Sequence, residues 1–212
     1  MSARCAIFAV LLLAGHGSAA AAPPPGGPVT LPIHPETSRL TFTIHRTGET
    51  IEGTAHEFTG EVVFDPADPS TGSSVVLRVT AASLETGNRM RDRKMRNTHL
   101  EADRFPEIVF KSISIKVGPE REGAAPPPGV GGSAQGGPQR KALVEGVLSL
   151  HGVDRALMVP AAIRYDSGTL TAEGSVALTY SDYGIAIPRF LWLVMEDDIK
   201  VRFRFVAGAP AR

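Results

Sequence analysis

The chain of 212 residues contains one cysteine, Cys5. A single thiol near the start leaves the remainder without disulfides, thiol chemistry or iron–sulfur ligands. Neither charge sign dominates, with 22 basic and 22 acidic residues, so overall electrostatics give no argument for a nucleic-acid partner. Long apolar runs are missing as well. The one candidate, Ala6 to Ala14, is too short to favour a membrane-spanning helix. No G-x-S-x-G elbow, H-E-x-x-H pair or glycine-rich phosphate loop opening a helix occurs, which removes the usual signatures of serine hydrolases, zinc proteases and nucleotide-binding enzymes. There is no long helical periodicity and no repeat of fixed period.

What the chain does contain is glycine (22) and proline (17), together with short segments of alternating polarity. The N-terminus reads as an export signal over residues 1–22: Arg4, a short apolar run, then Ser18-Ala19-Ala20-Ala21-Ala22 as small-residue cleavage sites. Residues 23–36 read as a loose proline-rich leader. Eight strands are expected after it: Arg39–His45, Gly53–Asp65, Val75–Ala82, Glu107–Val117, Arg140–His151, Asp154–Tyr165, Leu170–Tyr180 and Asp198–Val206. Gly60 is a candidate bulge. In the fourth strand the apolar phase slips, with Ile108 and Phe110 on one side and Ile113, Ile115 and Val117 on the other, which implies a bulge or strong bend. Residues 118–139 read as a disordered insertion, because 12 of the 21 residues at 118–138 are glycine or proline. Alternation with one polar face argues for antiparallel pairing, and eight such strands can close into a barrel that holds one small ligand. Periodicity alone also fits a two-sheet sandwich.

The third and fourth strands are joined by a stretch of different character. Residues 88–96 carry Arg89, Arg91, Arg93, Lys94 and Arg96 with Met90 and Met95 among them, too charged for a buried strand and suited to a short helix. Three readings fit this basic run: a solvated face, attraction to anionic lipid, or cations beside an acidic head group at a cavity mouth.

Three motifs now carry a resemblance. Ser83-Leu84-x-Thr86-Gly87-Asn88 with Arg91-Asp92 and Phe105-Pro106-x-Ile108-x-Phe110-x-Ser112 come first, then Val144-Glu145-Gly146-Val147-Leu148-Ser149-Leu150-His151-Gly152-Val153, then Ser181-Asp182-Tyr183-Gly184-Ile185. In this order they resemble the YceI-like family of polyisoprenoid-binding proteins, over a domain expected at 37–207. The resemblance implies an all-β, eight-stranded antiparallel lipocalin-like barrel with a short helical connection between strands 3 and 4. It further implies a non-enzymatic, exported and periplasmic protein that holds a long isoprenoid, of polyprenyl or isoprenoid-quinone type, without metal or other cofactor.

The inward faces expected on that basis are Phe42, Ile44, Phe58, Val79, Ala81, Phe110, Leu170, Ala172, Gly174, Val176 and Phe203 on the wall, and Met90, Met95, Leu100 and Phe105 on the connection. Arg89, Arg91, Asp92 and Lys94 are the candidate head-group residues, with transient contact to a membrane surface as a further expectation. Burying each isoprene unit contributes on the order of 3 kcal/mol gross. Two other readings stand beside this one: a metal-dependent hydrolase using His45, His56 and His151, and a ligand-free, stress-related structural protein with a filled barrel.

Overall fold

The computed structural model describes residues 27–46, 48–121, 139–187, 189–190 and 193–208. The expected signal at 1–22 and most of the insertion lie outside these residues.

Among the described residues there are twelve strands: β1 (Val29–Pro32), β2 (Arg39–Arg46), β3 (Glu49–Ala55), β4 (Phe58–Phe64), β5 (Ser74–Thr80), β6 (Leu84–Glu85), β7 (Glu107–Arg121), β8 (Gln139–Leu150), β9 (Val153–Asp166), β10 (Thr169–Thr179), β11 (Arg189–Phe190) and β12 (Leu193–Gly208). Eleven lie in the order β1-β4-β5-β7-β8-β9-β10-β12-β2-β3-β6, and β11 pairs with β12. Every pairing is antiparallel. The sheet curls into a barrel-like form. At one seam β1 runs along β4 and its continuation Ile33 bridges Ala207 at the end of β12. Among the described residues one short α-helix, α1 (Arg89–Lys94), lies between β6 and β7.

The count of eight is therefore corrected to twelve. The expected second strand is two, β3 and β4, because the backbone at His56 turns to bond Ser83 instead of continuing the ladder. The leader contributes β1, whose pairing with Glu61–Phe64 supplies the order its prolines do not. Strands β7 and β8 reach Arg121 and Gln139, which pair with each other, so residues 118–121 and 139 belong to the sheet and not to an insertion.

Local chemistry explains the turns. The β8–β9 turn places His151 at φ +53° and Gly152 at φ +75°, and the β9–β10 turn places Ser167 at +49° and Gly168 at +82°. Two successive positive φ values match the right-handed twist of the flanking strands. The phase slip in β7 is a bulge between Ser112 and Ser114 that leaves Ile113 outside, 69% exposed. The bulge shifts the alternation by one residue. Ile115 and Val117 therefore face the same interior as Ile108 and Phe110, correcting the expectation of opposite sides. Gly60 is not a bulge. It pairs regularly with Leu77, and a Cβ there would come 2.8 Å from Ile33 Cδ1 and 2.6 Å from the Val76 carbonyl oxygen.

Three phenylalanine rings lie flat against glycines of the wall. Phe42 covers its cross-strand partner Gly53, Phe203 covers its partner Gly174, and Phe110 covers Gly146 on the neighbouring strand. A Cβ on any of these glycines would sit within 2.6 Å of the ring. Each glycine lets a large ring lie along the wall, where a side chain would push it into the interior.

The ladder between β9 and β10 stops at Ala161–Gly174, next to Pro160, which has no N–H to offer. Beyond it, Val153–Pro160 pairs only with β8 and Ser175–Thr179 only with β12. The Ser181–Tyr183 turn packs against β9 there, and Arg155 Nε donates to the Asp182 carbonyl at 2.9 Å.

Candidate ligand cavity

The interior is hollow. A cavity of about 750 Å³ runs among the inward faces of β2, β5, β7, β8, β9, β10 and β12, and extends to α1. Inward side chains such as Leu77, Val144, Ile163 and Val176 are only half-buried because they face this space. Among the described residues no large side chain falls below 2% exposure. Two apolar clusters flank the cavity. One is built on Phe42, Ile44, Leu148, Leu150 and Tyr180, the other on Leu31, Ile33, Phe58, Phe64 and Leu170.

On the wall, Phe42, Ile44, Val79, Phe110, Ala172, Val176 and Phe203 line the cavity; from the connection, Met90, Met95 and Leu100 do so. Five expected residues do not. Ala81 has left the wall, because β5 ends at Thr80 and a 3₁₀ turn closed by Ser83 Oγ on the Thr80 carbonyl (2.8 Å) begins. Phe58 and Leu170 pack in the second cluster, Phe58 edge-on to Phe205 with centroids 5.8 Å apart. Phe105 turns to the His151–Gly152 turn, its ring 4.8 Å from the imidazole. Gly174 faces inward but lies beneath the Phe203 ring.

The expected cavity residues left out much of the wall, including Val144, Leu157 and Val159. Their signal is the same alternation that found Ala172 and Val176. Polar lining residues were left out too: Arg46, Ser73, His99 and Tyr180.

The polar end lies at α1. Asn88 caps the helix, its Oδ1 accepting from the N–H groups of Met90 and Arg91, each at 3.1 Å. Asp92, one of the expected mouth residues, is buried and does not line the cavity. Its Oδ1 accepts from Thr86 N (2.9 Å) and Thr86 Oγ1 (2.5 Å), which fastens the helix to the end of β6. Arg91 Nε donates to Thr86 Oγ1 at 2.7 Å, and its NH1 lies 4.0 Å from Glu49, which also pairs with Arg46. Arg91 and Lys94 line the mouth; Arg89 is exposed beside it and does not line the cavity. Arg46 Nε is buried with no hydrogen-bond partner. Past α1 the chain widens into a π-helical turn, Met95–His99, with Leu100 N bonding the Met95 carbonyl at 2.8 Å. That turn brings His99 to the cavity, where burial and then the Lys94 charge lower its pKa, and both its ring nitrogens are buried without a hydrogen-bond partner. Burial, with Asp197 and Asp198 nearby, pushes the Tyr180 phenol well above its usual range, so Tyr180 presents a neutral hydroxyl.

The strand histidines do not come together. His45 Nδ1 is 3.2 Å from Thr50 Oγ1, and His56 Nε2 is 3.6 Å from Glu85. His151 bridges the Tyr183 carbonyl (3.2 Å) and Glu101 (3.3 Å), tying the end of the connection to two turns. Among the described residues no group of three or more His, Cys, Asp or Glu is placed to hold a metal ion.

A curled antiparallel sheet around an apolar cavity is the architecture of a β protein that encloses its ligand. The chain belongs to the family of the YceI-like domain, whose model matches residues 32–207. Its fold is similar to that of Burkholderia cenocepacia BcnA, at 20% identity and TM-score 0.66, covering 83% of this chain and 99% of that one. It is similar also to a polyisoprenoid binding domain from Saccharophagus degradans implicated in plant cell wall breakdown, at 16% identity and TM-score 0.64, covering 85% and 98%. A third similar structure is the Campylobacter jejuni YCEI protein, at 17% identity and TM-score 0.54, covering 77% and 87%. No curated protein matches the chain.

Proposed function

We propose that this chain is an exported, periplasmic lipid-binding protein that holds a long isoprenoid, polyprenyl or isoprenoid-quinone in type, inside its barrel. The observation that carries this reading is the 750 Å³ cavity with its apolar walls. A packed core would lack that space, and volumes of roughly 300–1,000 Å³ are those of small-molecule sites. The polyisoprenoid-binding domain from Saccharophagus degradans supports the ligand class. The isoprenoid tail lies among Phe42, Phe110, Val176 and Phe203, and the head group sits at α1 near Arg91, Lys94 and the unpartnered Arg46 Nε. The protein acts by binding, without catalysis or cofactor. His45, His56 and His151 each bond elsewhere in the fold, which favours the binding reading over the hydrolase one.

The test is native mass spectrometry of protein purified from its own host, with lipid extraction, followed by titration with a fluorescent polyprenol. One isoprenoid per chain and saturable binding are expected. Purified protein that carries no lipid and fails to bind polyprenol or quinone at micromolar concentration would refute the reading.

A further inference from the structure

The helix at the mouth divides its charges between two directions. Asp92 is turned inward and buried, and Arg91 bonds Thr86. Arg89, Met90, Arg93 and Lys94 are all exposed. At about 100° per residue these four span an arc of roughly 140°, on the side of the helix turned away from Asp92. Arg89, Arg93 and Lys94 make no ion pair or hydrogen bond among the described residues. Met90 is 85% exposed, the most exposed of the large apolar side chains described. Residues 88–96 hold five basic side chains and one acid, in a chain that carries 22 of each sign in all. The only acid of α1 is the one withdrawn from this face.

We propose that the Arg89–Met90–Arg93–Lys94 face docks on the surface of an anionic lipid bilayer, with Met90 entering the head-group layer and the cavity mouth held against the membrane. Free cations flanking one solvent-exposed apolar side chain complement a negatively charged interface. Met90 and Lys94 also line the cavity, so docking on this face sets the opening against the bilayer. A ligand could then pass between bilayer and barrel without crossing water. The surface stands independently of what the cavity holds.

Vesicle co-sedimentation tests it, using the full chain and vesicles of pure phosphatidylcholine or of phosphatidylcholine with about a third phosphatidylglycerol. Binding to the anionic vesicles is expected at low salt, with little to the neutral ones, and it should fall steeply as salt shortens the screening length. The double variant Arg89→Gln, Arg93→Gln should weaken binding about 25-fold, at about fivefold for each charge removed. Neither residue lines the cavity, so polyprenol affinity in solution should stay unchanged. Equal binding to both vesicle types, binding indifferent to salt, or a folded double variant that binds like wild type would each overturn the proposal. A chain that docks but takes up no isoprenoid would refute the proposed function and leave the docking surface standing.

Discussion

Replacing Ala172 with phenylalanine should shorten the isoprenoid that the barrel prefers. Ala172 lines the cavity from β10, opposite Phe205. Taking about 30 Å³ for each non-hydrogen atom, as for a water molecule in the liquid, 750 Å³ accommodates roughly 25 atoms, or five isoprene units. Phenylalanine adds six ring carbons and at the same scale removes about 180 Å³, leaving room for roughly 19 atoms, close to four units. At about 0.3 kcal/mol per ligand atom each enclosed unit contributes about 1.5 kcal/mol, roughly tenfold in Kd. Wild-type affinity should therefore rise about tenfold per unit along a polyprenol series and level off near five. The Ala172→Phe variant should level off near four and lose about tenfold for the longer chains, while a three-unit ligand binds as before. Fluorescence titration across the series reads this, with a thermal melt to show that the variant is folded. An equal loss at every length, or an unchanged plateau in folded protein, would refute the assignment of this face to the ligand tail.

Three further outcomes follow from particular contacts. Gly174→Ala should destabilise the fold by about 1–3 kcal/mol in denaturant unfolding, because the new Cβ meets the Pro160 carbonyl oxygen at 2.4 Å and Phe203 Cζ at 2.6 Å; phenylalanine there would disrupt the wall before it filled the lumen. Asp92→Ala should cost about 1–3 kcal/mol by stranding the Thr86 N–H, and amide exchange should accelerate in residues 88–100 before the sheet. At high pH the fold should weaken. Tyr180 holds its proton above the pH at which the unfolded chain releases it, so stability is intact below about pH 10 and falls by up to about 1.4 kcal/mol per unit above it. Tyr180→Phe should flatten that alkaline slope.

Alternation made the central strands legible. Leu40, Phe42 and Ile44 on β2, and Ile199, Val201, Phe203 and Phe205 on β12, show one face apolar and find the same cavity. Elements whose order comes from elsewhere were not legible. β1 is held by β4, and the two residues of β6 are held by β3. The break at His56 is a bond to Ser83, 27 positions on. The slip in β7 was visible, but only the pairing with β8 shows that Ile113 is expelled and the inward phase restored. Gly174 was expected on the inward face, but no local pattern tells that Phe203, far along the chain, lies in register with it and covers it. Arg46 was missed for a related reason: a cation at a strand end reads as solvated, and only the tertiary fold buries its Nε at the cavity.

The position of β12 has a consequence for assembly in time. This last strand is inserted between β10 and β2, and its end receives Ile33 and the imidazole of His34, whose Nε2 lies 2.9 Å from the Gly208 carbonyl across 174 positions of sequence. While the chain is being made, β2 and β3 form a hairpin with one side unsatisfied, and β7 to β10 form a separate meander. The two can join through the sheet only after β12 has emerged. Contacts spanning so much of the sequence are slow to form, because loop closure must precede any gain from pairing. A nascent chain thus stays open along the edges of β2 and β10 until β12 arrives, and in that interval it depends on whatever keeps those edges from pairing with another copy.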